Sequence, residues 1–345
     1  MISYLIKHLQ FVCLLMLLAV FSKISAQEDC SFTLSKAQKL YDAGQIEQIP
    51  QMLQSCIENG FSSDEKLQAQ KLIVLSYLFD NNTKEADKAM LAFLKKYPEY
   101  EILPADQAEF IQLFNTYRTV PIASIGAVIG TNYNLIRPTN LYGTNGNKGS
   151  YSNSGFSYQA GISYKQYIKT KFDLNLSILY CSNTYQYSNS IIAGPSSITF
   201  TETQNNIEFP LSLIYTPYTF GRFSPFVRAG INTGYLLSSS GTGVRSTTLL
   251  GKDVTGSSLD LTKKREALQF WGLLGSGVCV NFKGIFVMFD LRYSLNLTNQ
   301  VKKSGRQQTN DDQIWLYYNN ENDYNWNKLT FTIGLFYKFY KPQKR

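Results

Sequence analysis

From about residue 120 onward the chain repeats one pattern eight times: about ten residues in which apolar side chains alternate with small or polar ones, then a turn. A period of two puts successive side chains on opposite faces of an extended strand. About ten residues is also the length with which a tilted strand crosses a bilayer. Strands satisfy their backbone polar groups in hydrocarbon only when the sheet closes on itself. The pattern therefore predicts an eight-stranded antiparallel transmembrane β-barrel, with lipid outside and a polar lumen inside.

The first strand, Ile122 to Leu135, sets Ala123, Ile125, Ala127, Ile129, Tyr133 and Leu135 against Ser124, Gly126, Gly130, Asn132 and Asn134. Phe172 to Tyr180 and Ile285 to Leu297 repeat the arrangement, as does the final run from Leu329 to Phe339. Leu268 to Phe282 is the least regular, because Trp271 and Leu273 fall on the polar face. A soluble β-sandwich is the competing fold, but its strands would not keep aromatic and aliphatic residues on one face so consistently. Links near Lys169-Thr170, Thr219 to Gly221 and Lys283-Gly284 are short, whereas 137–154, 188–200, 239–264 and 299–326 are long and polar. Barrels put short turns in the periplasm, so both termini are expected there.

An eight-stranded barrel is just wide enough for its own side chains to fill it. Inward Asp173, Glu208 and Asp290 are expected to meet Lys165, Arg228, Arg292 and Lys338, since a buried charge without a partner is too costly to keep. A lumen shut by salt bridges is one outcome, and a gated pore or small-solute channel the other. Neither is catalytic. Cys181 and Cys279 also fall on the inward phase, near opposite ends of their strands, and are expected to stay unbonded. The basic run Lys263-Lys264-Arg265 is expected to be solvated or to touch lipopolysaccharide phosphates.

Residues 1–26 have the form of a secretory signal: Lys7 and His8, an apolar run from Phe11 to Phe21, then Ser25-Ala26. Composition then divides the mature chain into a helical domain at 27–118 and a barrel at 119–345. The first holds 9 Lys+Arg against 14 Asp+Glu, or −5, and the second 22 against 11, or +11. The fold class is thus α+β multidomain, the barrel being preceded by a small all-α domain. Helices are expected at Lys36 to Ala43, Ile46 to Ile57, Asp64 to Phe79 and Thr83 to Lys96, with Thr83 as an N-cap and Ser63 with Lys66 making a poor capping box. A further short helix between Asp106 and Arg118 is expected to feed the first strand. Cys30 and Cys56, in an exported domain, are candidates for a disulfide; two unpaired buried thiols are the competing reading.

Ala37, Leu40-Tyr41 and Ala43-Gly44, followed by Ala69, Tyr77, Ala86, Phe93-Leu94 and Tyr97-Pro98, resemble two tetratricopeptide repeats. Repeats of this kind imply a concave surface for peptide segments, and the acidity of the domain would suit a basic periplasmic partner; a plain spacer explains it equally well. In the barrel, Ile207-Glu208-Phe209-Pro210-Leu211, then Pro225-Phe226-Val227, Ala229-Gly230 and Gly234-Tyr235, resemble the PorT-type outer-membrane barrels of the Bacteroidetes. That resemblance implies an outer-membrane location and, for some members, a part in protein export or gliding machinery, with no shared reaction.

His8 is the only histidine and leaves with the signal. A mature chain without imidazole lacks the base of Ser-His and Asp-His hydrolytic sites and the ligand of histidine zinc sites. No catalytic residue, metal site or cofactor is therefore expected. Export disfavours nucleic acid as the target of the basic half, leaving outer-membrane lipid and lipopolysaccharide as its counter-charge. The function expected is a non-enzymatic docking or structural component of an envelope or secretion assembly, the alternative being small-solute transport.

Overall fold

The computed structural model describes residues 30–142, 149–192, 196–247, 253–305 and 321–344, so the expected signal segment lies outside the described residues. The chain divides into two compact units: Met1–Val120 with Tyr340–Arg345, and Pro121–Phe339.

In the first unit, α1 spans residues 30–42. It is followed by α2 (Ile49–Glu58), α3 (Ser63–Phe79), α4 (Thr83–Lys96) and α5 (Ala108–Asn115). Gly44, at φ +73°, supplies the left-handed residue that turns the chain out of α1. Pro50 stands in the first turn of α2, where a missing N–H removes no helical bond. Both expected caps move one residue toward the N-terminus. Ser62, not Ser63, caps α3 and forms a full capping box with Glu65. Asn82, not Thr83, caps α4 and accepts from Glu85 N at 3.3 Å. The cap is the last residue before the helical dihedrals begin, and a polar residue on each side of that boundary leaves the choice open in sequence.

Ala37, Ile49, Leu53 and Ala69 build one core in this unit, and Val74, Met90, Phe93 and Phe110 a second. Cys30 and Cys56 are disulfide-bonded, with Cα atoms 5.6 Å apart, which joins α1 to α2. A bridge over 26 residues stabilises by about 3 kcal/mol in the chain-entropy account. The last six residues, expected to belong to the barrel, group with the helices instead. Gln343–Lys344 pairs antiparallel with Tyr117–Arg118, Lys344 Nζ lies 2.5 Å from Asp87 Oδ2, and the Tyr340 hydroxyl donates to Glu99. Backbone pairing and an ion pair on opposite charges outweigh any preference of this short polar tail for the sheet.

The second unit is a mostly antiparallel sheet. Its long strands are β1 (Pro121–Asn140), β2 (Tyr158–Lys169), β3 (Phe172–Ile192), β4 (Ser196–Tyr215), β5 (Phe223–Thr247), β6 (Leu268–Asn281), β7 (Ile285–Asn296) and β8 (Asp323–Tyr340). Each pairs with the next along the chain, and β8 lies beside β1, so among the described residues the eight long strands pair in a closed round. Gly284, at φ +73°, makes the tight turn between β6 and β7, where Phe282 N donates to Ile285 O at 2.9 Å. Short strands Ser150–Asn153, Val254–Thr255 and Leu259–Asp260 flank β3 and β5.

The two faces are inside-out relative to a soluble sheet. Leu174, Leu176, Ile178, Leu291 and Leu335 are exposed, the last at 55%, while Asp173, Asn175, Ser177 and Asp290 are buried. Exposed apolar area on this scale requires a lipid neighbour. Strands of 20 to 25 residues are about twice the length needed to cross the hydrocarbon core. Beyond Tyr180 the outward face of β3 changes to Ser182, Thr184 and Gln186, and the inward face to Tyr185 and Tyr187. The expected loops at 188–200 and 239–264 accordingly begin as strand: Ser188–Ile192, Ser196–Phe200 and Ser239–Thr247 continue the ladders. Their alternation persists in the opposite phase because water replaces lipid outside, and a search for apolar-outward strands stops where the phase turns over.

In the helical unit, burial raises the pKa of Asp106, but hydrogen bonds from Lys71, the Tyr100 hydroxyl and Leu103 N outweigh it and hold the carboxyl below its ordinary 3.8. A depressed folded value gives stability that is complete above about pH 5 and is lost as pH falls through the folded value. Hydrogen-exchange protection of α3 and α5 should therefore fall as pH drops below 3.8. Asp106→Asn should flatten that dependence; an unchanged profile in the variant would disprove the assignment.

Candidate functional site in the barrel interior

The inward side chains stack in layers along the barrel. At the end with the short turns, Lys165 from β2 pairs with Asp173 from β3 at 2.9 Å, both side chains under 10% exposed. Across the β2–β3 ladder Lys165 stands opposite Asn175 and Asp173 opposite Tyr167, so the pair is a diagonal contact next to the short turn. Above it lies an apolar layer, Val128, Leu179, Ile214, Phe226, Phe286 and Phe336, with the two rings of Phe286 and Phe336 stacked at 4.7 Å. The interior is thus not polar throughout, as the alternation implied. Ile214, Phe226, Phe286 and Phe336 hold inward positions because a narrow barrel fills with side-chain volume, and apolar volume needs no hydrogen-bond partner. Cys181 and Cys279 are both free and buried, and both sit in this layer.

The next layer holds Arg228, Asp290 and Arg292. Arg228 Nη1 is 3.1 Å and Arg292 Nε 2.9 Å from the same oxygen, Asp290 Oδ2. The Arg292 contact is an ion pair only, since its N–H does not align with that oxygen for a hydrogen bond. Glu208 pairs with Lys328 and accepts from Asn232 Nδ2 at 2.6 Å. Lys328 also lies 4.4 Å from the centre of the Trp271 ring, whose Nε1 donates to Trp326 O at 2.9 Å. That double role explains why Trp271 interrupts the polar face of β6. Amides and hydroxyls continue upward: Asn132 donates to Asn183, Asn134 to Ser157 and Thr330 to Asn132, each at 2.9 Å.

At the far end Arg265 is fully buried, where solvation or contact with phosphates was expected. It donates to Glu202 at 2.6 and 2.7 Å and pairs with Glu321, under a cap of Tyr185, Tyr324, Phe200 and Leu261. The Tyr185 hydroxyl donates to Glu202 Oε2 at 2.7 Å and the Ser239 hydroxyl to Glu202 Oε1 at 2.8 Å.

Of the charges expected in the lumen, Lys165 with Asp173, and Arg228 with Asp290 and Arg292, come together. Glu208 takes Lys328 at the opposite end of β8 from Lys338, which is half-buried. Lys328, Glu202, Arg265 and Glu321 were not anticipated. Lys328 falls one residue before the apparent start of its strand, Glu321 falls in the apparent loop 299–326, and Glu202 and Arg265 fall just past the apparent loops 188–200 and 239–264; the phase of the alternation, followed through its reversal, is the signal that finds Glu202. Among the described residues no group of three His, Cys, Asp or Glu side chains is placed to hold a metal ion.

Residues 122–302 match the family described as outer membrane protein β-barrel domain. No curated protein matches the sequence. Solved structures similar in outline include Neisserial surface protein A, at 13% identity over 63% of this chain and 97% of that one, with a TM-score of 0.30. OprG from Pseudomonas aeruginosa is 11% identical over 64% of this chain and 97% of its own, at 0.35. The outer membrane protease OmpT from Escherichia coli is 11% identical over 63% and 97%, at 0.37.

Removing one partner of a buried pair strands the other charge. Lys328→Met should lower the unfolding free energy by about 3–5 kcal/mol in urea titrations of the refolded protein. The double variant with Glu208→Leu should recover most of that loss, and a double variant as unstable as the single one would contradict the pairing.

Proposed function

Because the chain belongs to the outer membrane protein β-barrel domain family, we propose that it is a non-enzymatic barrel with a sealed lumen, serving as a docking or structural component of an envelope or secretion assembly. The observation that carries this reading is the packing of the interior: ion-paired, apolar and aromatic layers succeed one another from the Lys165–Asp173 pair to the buried Arg265. A barrel filled in this way transmits no solute, and its contribution is to hold the segments attached to it. The strand count is eight, all of them crossing the membrane. Short links on one side and long ones on the other support placing both termini and the helical unit in the periplasm.

The finer reading is a PorT-type barrel carrying a tetratricopeptide-like pair of repeats. The helical hairpins α1–α2 and α3–α4, each closed on small residues such as Ala37, Ala69 and Ala86, support the second part of it. A depression lined by Leu40, Ile46, Phe79, Glu47 and Asp80 offers an apolar, acidic contact for a basic periplasmic protein. Lipid and lipopolysaccharide are the partners of the barrel exterior. No cofactor is needed.

Planar-bilayer recordings of the full-length protein separate this reading from small-solute transport. The wild type should show no unitary conductance. Steady single-channel steps from the wild type would favour transport.

A further inference from the structure

The layer at Arg228, Asp290 and Arg292 carries more positive than negative charge. Two guanidinium groups share one carboxylate, which leaves one positive charge over, and all three residues are nearly buried, at 4%, 1% and 6% exposure. The ion pairs to either side, Lys165–Asp173 and Glu208–Lys328, are balanced one for one and contribute no spare anion.

The polar atoms of this layer are also incompletely used. Both guanidinium groups and the Thr332 hydroxyl converge on Asp290 Oδ2. Among the described residues Arg228 Nε, Arg292 Nε and Asp290 Oδ1 have no hydrogen-bond partner. Arg228 Nη2 reaches only the weak acceptor Met288 Sδ, at 3.8 Å. Opposite Gly230, two residues along the inward face of β5, the Ser212 hydroxyl also lacks a partner.

Gly275 makes the juxtaposition of like charges sterically feasible. A Cβ there would stand 2.9 Å from Arg292 Cγ and 3.2 Å from Arg228 Cγ, so glycine lets the two stems run side by side. Water would satisfy the orphan N–H groups but would leave the net charge uncompensated in a low-dielectric interior, where an unbalanced charge is most costly. The neutralising ligand must be a monovalent anion, and small, because the aromatic and apolar layer beneath fills the barrel's cross-section.

We propose that the barrel interior binds one halide ion between the guanidinium groups of Arg228 and Arg292, as a structural counter-ion. Arg228 Nε and Arg292 Nε, neither of which hydrogen-bonds within the protein, donate to it; Asp290 Oδ2 meets Arg228 through Nη1 and stands beside Arg292 Nε, and Ser212 is two positions along the inward face from Arg228. The site stands whether or not the helical unit has a partner.

The test uses full-length protein refolded in detergent, with sodium chloride exchanged for sodium gluconate at constant ionic strength. The melting temperature should rise with the logarithm of chloride concentration, by about 3 °C for each tenfold increase above the dissociation constant. Arg228→Met leaves Arg292 and Asp290 balanced, and should fold while losing the chloride dependence. Crystals grown in bromide should show an anomalous peak beside Arg228 Nε, a readout that does not depend on the variant folding. Melting indifferent to chloride, the same dependence in Arg228→Met, or bromide density absent from this layer would each overturn the proposal.

Discussion

A strand exposed to hydrocarbon has no water to satisfy its N–H and C=O groups, and this requirement governs the rest of the structure. It forces the sheet to close, and closure fixes which half of the side chains face lipid. In β3, Phe172, Leu174, Leu176 and Ile178 face out and Asp173, Asn175 and Ser177 face in, and no local preference can exchange them without breaking the ladder to β4. The inward residues then have only one another as partners. The Lys165–Asp173 and Glu208–Lys328 pairs, and the amide contacts of Asn132 and Asn134, follow from that confinement.

Much of this was legible because the period of two is a direct consequence of the backbone. The lipid-facing positions of β1, β3, β7 and β8 can be read from the residues alone, and so can the charges at Arg228, Asp290 and Arg292. Legibility ended where the solvent changed. Past Tyr180 in β3 the outward positions are Ser182 and Thr184 and the inward ones Tyr185 and Tyr187, a pattern that resembles a soluble sheet. Arg265 illustrates the limit. In sequence it completes a basic run after Lys263 and Lys264, and nothing local distinguishes a solvated arginine from one enclosed by Glu202, Glu321 and two tyrosines. Its burial depends on a strand that continues from Ile198 to Glu202 on the far side of the barrel.

The helical unit obeys different physics, and other features of it were readable. Its disulfide could be anticipated because two cysteines in an exported domain have few alternatives, whereas cap positions could not be fixed to one residue. Ser62 and Ser63 are chemically equivalent, and the choice falls to the one whose backbone is extended while Glu65 reaches back. The C-terminal tail was beyond reach for a further reason. Pairing of Gln343–Lys344 with Tyr117–Arg118 joins residues more than two hundred positions apart, and a two-residue strand carries no periodicity.

The charged interior also bears on why such a barrel retains ion pairs at all. Well-packed apolar residues would often be as stable as a buried salt bridge, so stability alone does not account for four separate acidic–basic groupings. Geometry gives the better account. Three of the four join residues from different strands: Glu208 on β4 with Lys328 on β8, Arg228 on β5 with Asp290 on β7, Lys165 on β2 with Asp173 on β3. A slip of one residue in any of these ladders would turn a charge toward lipid, at a cost larger than misplacing a leucine. The apolar layer at Phe226, Phe286 and Phe336 fills volume but tolerates rearrangement, whereas the paired charges accept one register only. The charges therefore specify the closed arrangement, and the aromatic and aliphatic layers stabilise it.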